Sequence, residues 1–391
     1  MLNTQFSSWP SFTEEESSAA QTVLLSNKVN YWTGTEGRDF EKEFAAWAGC
    51  SHAIAVSNGT VALDLALKAL DIEPGSEVVV TPRTFLASAS SIVTAGFVPV
   101  FADVDPDTQN ITPDSVRSVL SERTRAVICV HLAGWPCDMD GFMELAEEKG
   151  LYIIEDCAQA HGAKYKGRPV GSIGHVGCWS FCQDKIMTTG GEGGMVTTND
   201  GALWSRMWSF KDHGKSWDAI YNREHPPGFR WLHESFGTNW RLTEMQSAIG
   251  RIQLRRMPEW RDARARNAKS FLSAIEAFDC FRVPAVPAEL EHAWYKCYVF
   301  VRPDRLAEGW DRDRVMNEIS ALGVPCFSGS CSEVYLEQAF DGTGWRPKKR
   351  LPVAKELGET SLMFLVHPTL TEEEVQLTRT AIQSVAEKAC G

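Results

Sequence analysis

Apolar residues recur along this chain in two alternating rhythms. From about residue 36, short apolar runs alternate with segments in which apolar positions return every three to four residues. The stretch RDFEKEFAAWA (38–48) puts Phe40, Phe44 and Trp47 on one helical face. HAIAVS (52–57) reads as a strand and NGTVALDLALKAL (58–70) as the helix that follows it. EVVVTP (77–82) is a strand closed by Pro82, and FLASASSIVTAG (85–96) is a helix stopped at Gly96. PVFADV (99–104), RAVICVHL (125–132) and LYIIED (151–156) are further short strands, with helical segments at 113–121 and 138–149 between them. Mostly apolar strands alternating with helices predict an α/β fold with a large, mainly parallel sheet covered by helices on both faces.

The rhythm changes after residue 200. LTEMQSAIGRIQLRRM (242–257) opens a long helical stretch that reaches about residue 278, with a break expected near Pro258. YKCYVFVRP (295–303) is a strand, DRDRVMNEISALG (311–323) a helix, and TEEEVQLTRTAIQSVAEKA (371–389) a closing helix capped by Thr371 or Thr369. The expected division is a large domain over 1–250, and a bridging helix with a smaller α/β domain over 251–391. Residues 1–35 are a candidate segment for packing on the small domain.

Composition narrows the classes. The 391 residues are 43% hydrophobic and 23% charged, enough apolar material for a large core, and the formal net charge is −12. An acidic chain of this kind repels nucleic acid and anionic membranes, so neither is an expected partner. Arg261, Arg264 and Arg266 lie on a helix with Glu259 and Asp262 and read as a solvated face. Eleven cysteines are scattered without a CxxC pair, which predicts neither a disulfide framework nor a zinc site. The start, MLNTQFSSWPSFTEEESSAA, has no basic and then apolar region of the secretory kind, and no apolar run is long enough to span a membrane. A soluble, cytoplasmic protein is the expectation.

In such sheets, ligands bind beyond the carboxyl ends of the strands. Asn58-Gly59-Thr60 lies at one such end, where Gly59 admits close approach, Thr60 offers a hydroxyl and first-turn amides favour a phosphate. A helix cap that binds nothing is the plainer reading of the tripeptide alone. Thr84-Phe85 offers an aromatic ring that could stack on a flat heteroaromatic, although a lone Phe is more often core. Asp156 ends LYIIED, where a carboxylate can pair with a protonated ring nitrogen, cap a helix or ligate a metal. Lys185 lies between a strand and the glycine-rich turn GGEGG, with Ser180 just upstream as a phosphate donor. A nucleophilic amine in that position suits an aldehyde cofactor, against the alternative of a hairpin with a solvated lysine. The patterns GxxxxGK[ST] and GxGxxG are absent, and the histidines show no HExxH spacing, so no metal is expected.

Taken in order, these segments resemble the DegT/DnrJ/EryC1/StrS family of sugar aminotransferases, which have the fold type I architecture. The blocks are SNGTVALDLALKAL, TPRTFLASASSIVTAGFVPVFADVDPDTQNI, LYIIEDCAQAHGAKYKGRPVGSIG, SFCQDKIMTTGGEGGMVTTND and GTNWRLTEMQSAIGRIQL. The resemblance implies pyridoxal 5′-phosphate held as a Schiff base by Lys185, with Asp156 on the pyridine nitrogen and Gln159 near the ring. Phe85 stacks on the ring, Gly59, Thr60 and Ser180 hold the phosphate, and Asn239 reaches the cofactor phosphate of a neighbouring subunit in a homodimer. It also implies transfer of an amino group from glutamate to a keto-sugar, nucleotide-linked, in making a surface polysaccharide or glycosylated metabolite. Lysine at position 185, where some relatives carry histidine and act as dehydratases, favours transamination over a dehydratase or lyase. A non-enzymatic sensor with a retained cofactor pocket is the more distant alternative. Asn-Gly-Thr where Ser-Gly-Thr is commoner, and an unusual SGSCSEVYLEQAF (328–340), leave the sugar open. Arg83, Arg230, Lys215 and Arg241 are candidates for the donor carboxylate and the sugar diphosphate, each with a surface role as its plainer reading. His161, His213 and His233 read first as ordinary hydrogen-bonded side chains, and Trp217, Trp231 and Trp240 as core or dimer packing.

Overall fold

The computed structural model describes residues 6–390. The N-terminal reading of residues 1–5, and Gly391, lie outside the described residues. The strands, in chain order, are β1 (His52–Val56), β2 (Glu77–Val80), β3 (Val98–Phe101), β4 (Thr124–Val130), β5 (Tyr152–Asp156), β6 (Lys164–Tyr165), β7 (Arg168–Pro169), β8 (Val176–Ser180) and β9 (Gly194–Thr198). They are followed by β10 (Phe281–Arg282), β11 (Leu290–Glu291), β12 (Cys297–Val301), β13 (Cys326–Phe327) and β14 (Ser361–Phe364).

One seven-stranded sheet has the order β1-β9-β8-β5-β4-β2-β3. The pairs β2–β3, β2–β4, β4–β5 and β5–β8 are parallel, and only β9 runs against its neighbours. The sequence explains why both faces are buried. Val78 and Val80 point into a layer with Leu63, Leu67 and Trp208, while Val79 between them points into a layer with Phe142 and Leu145. Such a strand cannot sit at a solvated face, because each apolar side chain gains about 1.5–3 kcal/mol from full burial.

A second sheet, β10-β12-β14-β13, is antiparallel throughout. Along β12, Cys297, Val299 and Val301 join the core of this sheet with Phe271, Ile319 and Val385. The alternate residues Tyr298 and Phe300 face the layer of Phe142 and Leu145 beside the first sheet. Period-two alternation therefore ties one strand to both cores.

The helix Glu244–Ile275 is continuous, and Pro258 lies inside it rather than breaking it. A proline removes one helical hydrogen bond. The buried row Leu254, Met257, Trp260, Ala268 and Phe271 on either side holds the helix together across the gap. Arg264 belongs to that row and is 2% exposed, so the solvated-face reading does not hold for it. The tertiary reason is the N-terminal segment: Trp9 packs edge-on against Trp260 at 5.0 Å and lies under the Arg264 guanidinium at 5.1 Å. Trp9 also stacks near His367, and Ser8 O accepts from Thr369. Expected helix 113–121 is shorter, Pro113–Arg117, and the helix after Phe85 begins only at Ala87. The closing helix, Glu372–Ala389, is capped by Thr371, whose hydroxyl accepts from the Glu374 N–H at 3.2 Å. Cys280 and Cys390 form a disulfide across a sequence separation of 110 residues. The scattered spacing predicts no disulfide framework; packing of the last helix, not local spacing, brings this pair together.

Candidate functional site

The carboxyl ends of β1, β2, β5 and β8 open into a cavity of about 780 Å³. Its wall includes Asn58, Gly59, Thr60, Thr84, Phe85, Ser88, Asp156, Gln159, Ser180 and Lys185 from the first half of the chain. Tyr295, Lys296, Tyr298, Gly329 and Ser330 close it from the second sheet's side. The structure thus brings together all of the sequence-predicted cofactor residues except Asn239. Asn239 is exposed and outside this cavity, in an isolated bridge with Asp212.

At one end, β1 runs through Ser57 into the helix Gly59–Ala69. Asn58 caps it by accepting from the Val61 N–H at 2.9 Å. A Cβ on Gly59 would lie 2.6 Å from the Ser180 Cβ and 3.1 Å from its Cα. Only glycine lets the helix start sit against β8, where the hydroxyls of Thr60 and Ser180 and the first-turn amides face one space. That set of donors suits a phosphate. Gly59→Ala is expected to push these elements apart and weaken binding of a phosphorylated cofactor about 10- to 100-fold, read by spectroscopic titration, with the fold retained.

At the floor, Asp156 ends β5 and is buried. One oxygen accepts from the Ser88 hydroxyl at 2.8 Å and the other from the Ala158 N–H at 3.1 Å. Ser88 in turn contacts the Thr84 hydroxyl at 2.9 Å. Burial pushes the Asp156 carboxyl above its usual range, against the lowering pull of these two hydrogen bonds and of the Lys185 charge. A buried carboxylate with no bonded cation is short of a cationic partner, and a protonated pyridine nitrogen supplies one.

Glu155, next to it, points to the opposite face. It accepts from His131 Nε2 at 3.0 Å and from the backbone N–H of Gly171, Ile173 and Gly174 at 2.8, 2.9 and 2.6 Å. Because the Cys137 N–H donates to His131 Nδ1, the proton of that ring lies on Nε2. His131, Glu155 and Cys157 lie within 4.8 Å of one another, but these bonds already occupy the lone pairs a metal would need. Burial raises the Glu155 carboxyl, yet the His131 hydrogen bond and the Gly171 and Gly174 amides outweigh it and hold it below the usual range. A depressed folded value contributes stability above the unfolded value and loses it as pH falls through the folded one. Glu155→Ala is expected to cost about 3–5 kcal/mol in urea unfolding at neutral pH. In Glu155→Gln the loss of stability below about pH 4.5 is expected to be shallower than in the wild type.

Lys185 projects from the loop after β8, its Nζ 5.3 Å from the centre of the Tyr295 ring. The loop is braced twice. Trp9 donates its indole N–H to the Lys185 carbonyl at 2.7 Å, and the Tyr295 hydroxyl donates to Asp184. Gln159 accepts from the Ala133 N–H at 2.8 Å, a turn in which Ala133 has φ 57°. Phe85 is 72% exposed and lines the mouth of the cavity. Gly329, at φ 91°, lies against Tyr298, whose hydroxyl accepts from the Ser330 N–H at 2.8 Å. Part of the divergent 328–340 segment therefore forms cavity wall. Trp9, Ser88, Tyr295, Lys296 and Tyr298 carry no local signal, because the contacts that bring them to the site join segments far apart in the chain, 68 residues for Ser88 with Asp156 and 176 for Trp9 with Lys185.

None of the four proposed anion-binding cations lines the cavity. Arg83 is fully buried, bonded to Gln109 at 2.9 Å and Ser361 at 3.1 Å, so its surface reading is corrected. Lys215 and Arg241 pair with Asp212, and Arg230 is exposed away from the cavity. His161 is buried among Trp179 and Phe181 with neither ring nitrogen bonded, contrary to the ordinary hydrogen-bonded role. Burial and the Lys185 and Arg264 charges push it down to about 3. Trp217 packs on Trp204 and Trp208 and Trp240 on Phe210, whereas Trp231 is 82% exposed. No helix among the described residues is long and apolar enough to cross a membrane.

Comparison with known proteins agrees with this arrangement. Residues 10–383 match the DegT/DnrJ/EryC1/StrS aminotransferase family. The chain is 34% identical over 360 residues to UDP-N-acetyl-3-dehydro-alpha-D-glucosamine 3-aminotransferase of Acidithiobacillus ferrooxidans, covering 91% of this chain and 90% of that one. It is 36% identical over 364 residues to GDP-perosamine synthase of Caulobacter vibrioides, covering 90% and 92%. The solved aminotransferase from Psychrobacter cryohalolentis superposes with a TM-score of 0.96 at 64% identity, covering 97% of this chain and 98% of that one.

Proposed function

Since the chain belongs to the DegT/DnrJ/EryC1/StrS aminotransferase family, with its fold type I architecture, we propose that it moves an amino group from glutamate to a nucleotide-linked keto-sugar, using pyridoxal phosphate. The observation that carries this reading is the presence of Lys185 and Asp156 in the wall of one cavity, with the Gly59–Ser180 cradle in the same wall. When bound, the cofactor supplies an electron sink and a carrier for the amino group.

Asp156 holds the ring nitrogen protonated, and Ser88 and the Ala158 N–H fix the carboxylate for that contact. Thr60, Ser180 and the amides at the start of the Gly59 helix hold the phosphate. Phe85 and Gln159 border the ring. The Lys185 amine is placed to take the proton from the donor Cα as general base and, in the reverse sense, to give a proton to the acceptor carbon as general acid. Tyr295 and the Trp9 bond keep that amine in range.

The relatives named above are an aminotransferase of a UDP-linked sugar and a synthase of GDP-linked perosamine, which supports a nucleotide-linked acceptor. Two copies of the chain are proposed to pair, with Asn239 of each reaching the other's cofactor phosphate. Phe229, Trp231 and Phe236 are exposed by 75%, 82% and 99%, which supports a covered surface near that residue. A cytoplasmic location fits a reaction that draws on nucleotide sugars.

The test is incubation with isotopically labelled glutamate and a panel of UDP-, dTDP- and GDP-linked keto-sugars, followed by mass spectrometry. Transfer of the labelled nitrogen to one of them is the expected result. A sugar that loses water and gains no nitrogen would overturn the reading in favour of a dehydratase.

A further inference from the structure

The cavity contains a second amine to which the proposed function gives no role. Lys296 stands just before β12, and its Nζ lies 4.8 Å from the centre of the Tyr295 ring, the same ring that Lys185 approaches at 5.3 Å. Among the described residues lining the cavity, these two lysines are the only cations. What acts on the Lys296 amine is burial and neighbouring charge, not a hydrogen bond: burial first, then Arg264, Asp184 and Lys185. Asp184, the one carboxylate among these, is already engaged by the Tyr295 hydroxyl.

Behind Lys296 the positive charge is not neutralised. Arg264 is buried with its guanidinium bonded only to the carbonyls of Trp294 and Tyr295, at 3.4 and 3.3 Å, and its Nε and Nη2 have no partner. A half-buried amine beside a buried guanidinium, with Asp184 already engaged by the Tyr295 hydroxyl, forms a place where an anion lowers the energy. Burial, with Arg264 beside it, pulls the Lys296 amine down to about 8, so the charge is held against a cost that an arriving carboxylate offsets.

An amino donor reacting at Lys185 carries its α-carboxylate one carbon from the amine that is transferred. That carboxylate comes to rest within a few bond lengths of the reacting atom, in the cavity whose wall carries both Lys185 and Lys296. Lys185 cannot hold it, because that amine handles the proton. The keto-sugar brings no anion to the reacting carbon, since its diphosphate lies several bonds away. We propose that Lys296 is the residue that binds a carboxylate of the amino donor. The assignment rests on the aminotransferase reading and identifies the donor side of its cavity.

The test uses the cofactor-loaded enzyme in the two half-reactions taken separately. Lys296→Met keeps the length and removes the charge. It is expected to weaken the glutamate dissociation constant of the first half-reaction about 10- to 100-fold. Reaction of the amine-loaded form with keto-sugar is expected to stay within about threefold. Lys296→Gln is expected to show the same split, and Lys296→Arg to regain most of the glutamate affinity. An unchanged cofactor absorbance in each variant shows that the site is intact. A Lys296→Met enzyme that binds glutamate as the wild type does, or that loses both half-reactions equally, would overturn the assignment. A wild-type enzyme that glutamate does not convert at all would instead refute the proposed function.

Discussion

Lys185→Ala is expected to lower turnover by at least about 10⁴-fold, because it removes both the bond to the cofactor and the group that moves the proton. The loss should be chemical rather than structural. Lys185 lies on a loop whose carbonyl is held by Trp9 and whose neighbour Asp184 is held by Tyr295, and neither contact uses the lysine amine. The variant should therefore unfold in urea at close to the wild-type midpoint and still take up the cofactor through the phosphate cradle. Its absorbance band at about 410–420 nm, expected for cofactor bonded to a protein lysine, should be absent. A Lys185→Ala enzyme that retained even a hundredth of wild-type turnover would place the reactive amine elsewhere.

The second large effect is expected from Asp156→Asn, which keeps the shape of the side chain and removes its charge. The amide cannot hold the ring nitrogen protonated, so kcat is expected to fall about 10²- to 10³-fold while the cofactor remains bound. A stability measurement on the cofactor-free protein provides an independent readout. Burial raises the Asp156 carboxyl in the folded chain. A raised carboxyl contributes most below its unfolded value, and that contribution is lost as pH rises through the folded value. Above that range the cofactor-free wild type carries the cost of an ionised buried carboxylate, and Asp156→Asn does not. The variant is expected to be the more stable of the two without cofactor and to gain less on adding it, by thermal unfolding at pH 7. Equal gains would separate Asp156 from the cofactor.

The parts of this site that lie at strand ends were legible in the sequence because the chain marks them locally. An apolar run ending in Asp156, or a glycine at the first turn of the helix after β1, carries its meaning within ten residues. The parallel sheet was legible for the same reason, since Val78, Val79 and Val80 are all apolar where a half-solvated strand would alternate. What escaped was set by packing over long separations. Arg264 and Arg83 look like surface arginines in any local window, and both are buried by segments far away in the chain. Pro258 signals a break that buried neighbours on both sides prevent. Lys296 follows Tyr295 in what reads as an ordinary strand start, and only the meeting of the two sheets puts its amine in the cavity. The Cys280–Cys390 pair is of the same kind.

The absorbance spectrum of the purified protein, recorded before and after adding excess glutamate, tests the central claim most directly. The account predicts a band at about 410–420 nm that gives way to one near about 330 nm as the amino group passes to the cofactor, and that returns on adding 2-oxoglutarate. A protein that shows no such band even after reconstitution with pyridoxal phosphate would contradict it.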